Sequence, residues 1–256
     1  MSLPEDVLDH IFSFLQFDFY ALRACSQSDP RFIPLVERHF YANVTLGEQH
    51  IAITGSHHVE PAEFTSLLSD NPHIANYIRN LDVHLRVTEP VQHWLEIKAS
   101  ILRMCPLLNT VTFRSPNGPI KWLSLPENFR LALLSCLHLP SMKAVYIIRV
   151  SDFPLTDLKS CEGLKSLTLY DWTPGPSFTP ETSRHSLEHL DIQFCSQEDV
   201  QEIITWVEPC NLHSLEIMFL ASRNIEQLSR VFFSCSNTLT DLNLDIWRDC
   251  KSLSFS

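Results

Sequence analysis

The sequence predicts an α/β fold in which three short N-terminal helices precede a curved solenoid of parallel strands and helices. Two observations support this prediction. From residue 78 onward one short apolar pattern recurs, and stretches with helical apolar spacing lie between several of its copies. The residues before the first copy follow a separate helical pattern. We therefore assign a helical domain to residues 1–46 and the solenoid to residues 47–256. No polar capping unit is recognisable after the last copy, which leaves three alternatives: a truncated end, a cap formed by the tail itself, or cover by a partner.

Composition argues against several classes of partner. The formal net charge of the 256 residues is −11 and there is no Lys/Arg-rich run, so no nucleic-acid partner is expected. No apolar run reaches the roughly 18 residues that a membrane span needs, and acidic residues interrupt the N-terminal apolar stretch as no signal peptide would. The eight cysteines include no CxxC pair. We therefore expect free thiols and a cytoplasmic or nuclear location.

The N-terminal stretch LPEDVLDHIFSFL carries apolar residues over a wide arc. Pro4 suits the start of a helix, and Glu5 and Asp6 favour its positive end. At about 100° per residue the apolar side chains span roughly 160°, whereas a helix lying only on its own core needs about 100°. They are Val7, Leu8, Ile11, Phe12, Phe14 and Leu15. Either the helix is wedged between two parts of one domain, or one face is available to another protein.

Two further apolar segments complete the N-terminal domain. FYALRACSQ (19–27) and PRFIPLVERHF (30–40) follow across short polar breaks. Three helices in about 40 residues can enclose only a very small core, which is marginal on its own.

Seven copies of one pattern organise the rest of the chain, and their starts lie 22 to 34 residues apart. In each copy the alternate apolar residues would share one face of a strand. The copies are IRNLDV (78–83), LNTVTF (108–113), MKAVYI (142–147), LKSLTL (164–169), LEHLDI (187–192), LHSLEI (212–217) and LTDLNL (239–244). Helices are predicted at 91–105, 197–208 and 222–233, and loops at 47–62 and 173–185.

Side chains between the buried strand positions should point outward on the concave face. Tyr, Trp, Met and acidic residues on one face suit a protein ligand, although each position could equally be an ordinary solvent-facing one. The target-binding candidates are His84, Arg114, Tyr146, Tyr170, Trp172, Gln193, Met218 and Trp247. Their neighbours on the predicted face are Asp82, Thr112, Ile148, Thr168, Asp191, Glu216, Asn243 and Asp245.

These motifs resemble two known families. The copies resemble leucine-rich repeats, and they are most similar to the irregular repeats of ribonuclease-inhibitor-like solenoids because the usual later Asn or Cys is mostly absent. LPEDVLDHIFSFL resembles the opening of an F-box at Leu3, Pro4, Asp6, Val7, Ile11, Phe12 and Leu15. Cys25 also fits, whereas Phe32 stands near the position where F-boxes commonly carry Trp. The combination looks like the F-box proteins common in fungi.

The resemblance implies a substrate receptor of a Skp–cullin–F-box ubiquitin ligase, a protein-interaction adaptor in the ubiquitin-like conjugation pathway. The F-box would bind a Skp-type adaptor and through it a cullin, and the solenoid would bind an unidentified target protein. The implied adaptor contacts are Leu3, Pro4, Val7, Leu8, Ile11, Phe12 and Leu15.

No residue pattern points to chemistry in the chain itself. It contains no phosphate loop, dinucleotide fingerprint, HExxH or GxSxG. His185 and His189 are four apart, but in a strand that spacing is about 13 Å, too far to share a zinc ion. We expect no catalytic residue, cofactor or metal. Two alternatives stay open: a leucine-rich-repeat scaffold with an F-box-like N-terminal cap and no ligase role, and, more remotely, a hydrolase whose nucleophile the sequence does not reveal.

Overall fold

The computed structural model describes an α/β protein with six α-helices and a nine-stranded, mostly parallel sheet. The described residues are 3–16, 18–47, 57–85, 91–174, 186–196, 211–220 and 237–247, with Val200, Ile203, Val207 and Cys235. The helices are α1 (Glu5–Phe14), α2 (Phe19–Ser28), α3 (Ile33–Phe40), α4 (Pro61–Asp70), α5 (Val91–Met104) and α6 (Glu127–Leu137). None of these helices is long and apolar enough to cross a membrane.

Each of the seven predicted copies contains a strand of the large sheet. The strands are β1 (Asn43–Leu46), β2 (His57–Val59), β3 (Asn80–His84), β4 (Thr110–Arg114), β5 (Ile120–Lys121), β6 (Ala144–Ile148), β7 (Val150–Ser151), β8 (Ser166–Tyr170), β9 (His189–Cys195), β10 (Ser214–Leu220) and β11 (Asp241–Trp247). The large sheet has the order β11-β10-β9-β8-β6-β4-β3-β1-β2, and β5 pairs with β7. The predicted α/β class and parallel pairing are confirmed, whereas the solenoid stays a prediction.

The chain divides into two compact units. The first comprises residues 1–84, 88–111 and 126–141, and the second comprises residues 85–87, 112–125 and 142–256. The predicted helix at 91–105 is present as α5. The predicted helices at 197–208 and 222–233 lie largely or wholly outside the described residues.

The N-terminal segment has four helical elements where three were predicted. The predicted helix at 30–40 is divided into a 3₁₀ turn, Pro30–Phe32, and helix α3. Pro34 explains the division, because it has no N–H to donate to the carbonyl of Pro30 and its ring would collide with that carbonyl in a continuous α-helix. The N–H of Ile33 donates to this carbonyl instead and closes the turn.

The small core predicted for the N-terminal helices is present in the first unit. Its centre consists of four buried side chains, and Cys25 and Phe40 are among the half-buried residues packed against it. The rings of Phe12 and Phe32 meet edge to face with centroids 5.6 Å apart. The four central residues are Phe12, Leu22, Leu35 and Val36.

Strand β2 joins this helical core to the sheet, and it corrects the prediction of a loop over 47–62. Residues His57–Val59 pair in parallel with β1, and Pro61 begins α4, where the Glu60 carboxylate accepts from the N–H of Glu63. The ring of His57 packs on Phe40, with centroids 4.3 Å apart, and lies within 5.7 Å of two more aromatic rings. Only three residues of β2 and the first two residues of α4 fall within the predicted loop. They are too few to show the periodic pattern of a strand or a helix.

In the second unit, parallel pairing in register aligns the buried residues of successive strands into two rows. The rows are Val145–Leu167–Leu190–Leu215–Leu242 and Ile147–Leu169–Ile192–Ile217–Leu244. The first four members of each row are buried, whereas Leu242 and Leu244 in β11 remain exposed. Because side chains alternate along each strand, the residues between these rows point to the opposite face.

A residue in the left-handed region interrupts this alternation at the end of three strands. Arg149, Asp171 and Phe194 have φ of 57°, 50° and 56°. At Phe194 the pairing of β9 with β10 shifts by one residue. The extra residue turns the next side chain inward, so Trp172, which alternation alone would place on the outer face, is fully buried.

The left-handed position predicts an unusual order of stability at residue 171. We expect Asp171→Gly to stay within about 1 kcal/mol of wild type, because Gly adopts this conformation freely and the exposed Arg149–Asp171 ion pair, at 3.7 Å, contributes little. Asp171→Val should lose about 1–2 kcal/mol, because a β-branched residue is strained there. Urea unfolding measures both. The control is Thr168, in the middle of β8, where the Gly variant should be less stable than the Val variant. The assignment at residue 171 is contradicted if Asp171→Gly is less stable than Asp171→Val.

The packing of His57 predicts an acid-sensitive stability. Burial, and then the neighbouring His58, lower the pKa of His57 to about 4. Because this is below the unfolded value of about 6.5, the unfolded chain binds more protons between these two pH values, so stability is full above pH 6.5 and falls towards pH 4. Urea unfolding at several pH values should show a shallower decline for His57→Gln than for wild type. The exposed His93 provides the control: His93→Gln should retain the wild-type slope, and equal slopes for all three proteins would refute the assignment.

Candidate functional site

Helix α1 divides its apolar side chains between two faces. Phe12 is 3% exposed in the N-terminal core, and Leu8 and Leu15 pack against the same core. The opposite part of the arc is open: Leu3 is 56%, Val7 40%, Ile11 42% and Phe14 74% exposed. On a helical wheel the open residues of α1 itself, Val7, Ile11 and Phe14, cover about 60°. We call Leu3, Val7, Ile11 and Phe14 the apolar face.

A polar contact connects α1 to α3. The Asp9 carboxylate accepts from Nη1 of Arg38 at 3.2 Å and lies 3.0 Å from Nε2 of His39. The partners are about thirty residues away in sequence, so the contact connects α1 to α3. Partial exposure limits its contribution to stability.

The seven predicted adaptor contacts fall into two groups. Leu3, Pro4, Val7 and Ile11 are exposed, whereas Leu8, Phe12 and Leu15 belong to the packed side of the helix. The predicted adaptor contacts do not include Phe14, although it lies about 20° from Val7 on the helical wheel. They also omit Tyr20 of α2, which is 88% exposed. The helical period carried the signal for Phe14, and nothing in the sequence carried one for Tyr20.

A second candidate surface is the outward face of β6, β8, β9, β10 and β11, which we call the sheet face. The strands align two outward rows in the register that the sequence predicts. These rows are Tyr146–Thr168–Asp191–Glu216–Asn243 and Ile148–Tyr170–Gln193–Met218–Asp245. Most members are half-buried, and those in β11 are exposed. Four of the target-binding candidates therefore lie where a target could contact them: Tyr146, Tyr170, Gln193 and Met218.

Amide side chains hold the two central carboxylates of the sheet face. Nε2 of Gln193 donates to both oxygens of Asp191, at 3.0 and 3.1 Å, and Nδ2 of Asn243 donates to Oε1 of Glu216 at 3.1 Å. Burial raises the pKa of Asp191, and the negative charge of Glu216 adds to the shift. The face therefore holds negative charge that is already partly stripped of water.

An aromatic pair and one cation lie around Tyr170 of β8 on the sheet face. The rings of Tyr170 and Phe194 lie with centroids 4.8 Å apart. Cζ of Arg149 lies 5.9 Å from the centroid of Tyr170, and its Nε is 3.7 Å from the Asp171 carboxylate. This part of the face combines apolar area with an Arg149–Asp171 ion pair.

Of the remaining target-binding candidates, His84 and Trp172 are buried and not outward as predicted, whereas Arg114 keeps its predicted outward position. His84 is 4% exposed, because β1 and β2 extend the sheet beyond β3. The repeat pattern predicts β3 as the first strand. Nζ of Lys98 donates to the His84 carbonyl, and a Cβ on Gly47 would come within 2.8 Å of the His84 ring. Trp172 is buried by the left-handed residue before it, and Arg114 is half-buried. The side chain of Trp247 lies outside the described part of the chain.

Two of the buried thiols, Cys105 and Cys161, lack the environment of a nucleophile. Burial raises the pKa of Cys105 to about 12, and burial followed by the Asp157 charge raises the pKa of Cys161 to about 11. Both thiols are therefore protonated near neutral pH. Within the described ranges no three His, Cys, Asp or Glu side chains are arranged to hold a metal ion.

The sequence matches no model of a known protein family and no curated protein. The apolar face and the sheet face therefore carry the functional argument.

The two sides of α1 predict opposite effects on stability. Phe12→Ala should lower the free energy of unfolding by about 3 kcal/mol, because it removes a buried ring from a small core. Val7→Ala should change it by less than about 0.5 kcal/mol, because Val7 is exposed. Urea unfolding of the isolated chain measures both. Similar losses for the two variants would show that the exposed side of α1 is covered in solution.

Proposed function

We propose that the protein is the substrate-recognition subunit of a Skp–cullin–F-box ubiquitin ligase. The N-terminal segment would bind a Skp-type adaptor, and through it a cullin, while the strand-bearing remainder would form a leucine-rich-repeat solenoid that binds a target protein. The observation that carries the proposal is the exposure of Val7, Ile11 and Phe14 on α1, and of Leu3 just before it, while the other side of the helix packs on the N-terminal core. These residues lie within the stretch that resembles an F-box.

The energetics of the apolar face favour a protein partner. Burial of a large apolar side chain is worth about 1.5–3 kcal/mol. Soluble monomers rarely leave such side chains clustered on one face unless the face is used for association. Val7, Ile11 and Phe14 lie on α1, and Leu3 directly precedes its N-cap, Pro4. An α-helix presenting anchors one turn apart is a common mode of partner recognition.

The two parts of the chain would have separate roles in such a receptor. The adaptor side supplies the link to the ligase, and the sheet face supplies residues for a target. Ubiquitin transfer itself would be carried out by the enzymes that the cullin recruits, so the proposal requires no catalytic group in this chain. Action in the cytoplasm or nucleus, where such ligases work, follows from the proposal.

One observation favours the alternative of an interaction scaffold whose helical segment is only a cap. The His57 ring of β2 packs against Phe19, Phe40 and Tyr41 of the helical segment. This packing ties the segment to a strand of the same unit, as a cap would require. However, this packing does not cover the apolar face of α1, and a cap has no need for exposed apolar residues there. We therefore favour the ligase receptor.

Adaptor binding tests the proposal directly. The full chain should co-purify with a recombinant Skp-type adaptor, and Val7→Asp combined with Ile11→Asp should weaken that binding at least 50-fold, because it places two charges in the centre of the apolar face. Leu3→Asp combined with Pro4→Ala should also weaken it. Titration calorimetry with purified proteins provides the affinities.

A matched control separates a specific contact from a general effect of added charge. Leu107 and Leu131 are 40% and 52% exposed elsewhere in the first unit. Leu107→Asp combined with Leu131→Asp should therefore leave adaptor binding unchanged. The proposal fails if the wild-type chain binds no adaptor, or if the Val7/Ile11 variant binds as well as this control.

A further inference from the structure

The sheet face is open on a sheet whose other side is packed. Inward residues of β6, β8, β9 and β10, such as Val145 and Leu190, are buried, whereas outward residues such as Tyr146 and Met218 keep part of their surface exposed. The outward side chains are also aligned across neighbouring strands. Such a surface can contact an extended or helical segment of another protein over several strands at once.

The charge of the sheet face has one sign along most of its width. Strands β6, β8, β9, β10 and β11 contain no Lys or Arg. Their outward positions carry four carboxylates, and a ligand on this face must complement them. The carboxylates are Asp191, Glu216, Asp241 and Asp245.

Two of these carboxylates face each other in the sheet. Asp191 of β9 and Glu216 of β10 are paired residues in the register, and like charges directly opposite each other destabilise a sheet. Their hydrogen-bond donors are the neutral amides of Gln193 and Asn243. Across the described part of the chain neither carboxylate forms an ion pair. A cation supplied by a ligand would relieve the repulsion and replace the lost hydration.

The face also has a direction. Arg149 lies over Tyr170 of β8, next to the ring of Phe194, and Arg114 belongs to β4, the strand beyond β6. Because Arg149 is paired with Asp171, a positively charged side chain gains no attraction beside Tyr170, whereas it is attracted over β9–β11. An apolar side chain finds its contact area at Tyr170 and Met218, which lie in one outward row. The favoured ligand is therefore basic at one end and apolar at the other.

We propose that the sheet face binds a protein segment that carries two or more Lys or Arg side chains next to an aromatic or large apolar one. The basic side chains lie over Asp191, Glu216 and the carboxylates of β11, and the apolar side chain packs on Tyr170 and Met218. This inference rests on the proposed function, since it specifies the chemistry of the target that the ligase receptor would recognise. The negative face also disfavours a nucleic-acid ligand.

Synthetic peptides of defined composition provide the probe. Three sets of fluorescent 12-residue peptides share one aromatic and two leucine residues and differ in carrying Lys/Arg, Asp/Glu or Ser/Gln at the other positions. Fluorescence anisotropy is measured with the full chain bound to its adaptor, or alone where no adaptor binds. We expect the basic set to bind at least tenfold more tightly than the other two sets. Equal affinity for the three sets overturns the inference.

Variants test where the basic peptides bind. Asp191→Lys combined with Glu216→Lys should weaken the basic set at least tenfold. The control is Glu96→Lys combined with Glu162→Lys, which makes the same charge change at exposed positions outside the face and should leave the affinity within twofold of wild type. Tyr170→Ala combined with Met218→Ala should weaken the aromatic-containing basic peptides but leave binding of plain oligolysine unchanged. Equal losses in the two charge variants would show attraction to the net charge alone and overturn the inference.

Failure of this inference is distinguishable from failure of the proposed function. Adaptor binding is measured on the same preparations and depends on Val7 and Ile11, which are not on the sheet face. A chain that binds adaptor but shows no preference for basic peptides overturns only the inference. A chain that prefers basic peptides at the sheet face but binds no adaptor overturns only the ligase role.

Discussion

Parallel strands paired in register decide which side chains of the second unit are buried and which can be used for binding. Alternation places Val145 and Leu167 in one inward row and Tyr146 and Thr168 in the outward row beside it. The same register brings Asp191 and Glu216 to directly paired positions. The buried rows and the charged surface are thus two consequences of one geometry. A shift of one residue would exchange the two faces, and burial of the apolar row excludes such a shift.

A different constraint governs the N-terminal segment. Three short helices and a 3₁₀ turn enclose a core around Phe12, and a core of this size cannot cover every apolar residue of α1. The side that remains open carries Val7 and Ile11. The surplus of apolar surface is a local property of the helix, visible in the sequence as an arc too wide for one core. It persists in the folded chain.

Sequence alone predicted the features that depend on local periodicity. Seven strands, most of their outward residues and the wide apolar arc of α1 follow from patterns of two and of 3.6 residues. Features that depend on pairing between distant segments were not predictable. Strands β1 and β2 lie beyond β3 in the sheet and bury His84, and they were missed because neither carries a copy of the repeat pattern. The burial of Trp172 depends on the left-handed Asp171. Aspartate tolerates that conformation and gives a weak signal, whereas Phe194 in the same role gives none.

The two surfaces rely on different forces, and the difference suits the two partners of the proposed receptor. Burial of apolar side chains such as Ile11 depends little on salt, and it favours a stable association with a constant subunit. Charge attraction at Asp191 and Glu216 is screened by salt, speeds encounter more than it prolongs residence, and favours a partner that exchanges. A ligase receptor must stay with its adaptor while successive targets bind and leave. An apolar helix face and an acidic sheet face in one chain meet these two requirements separately.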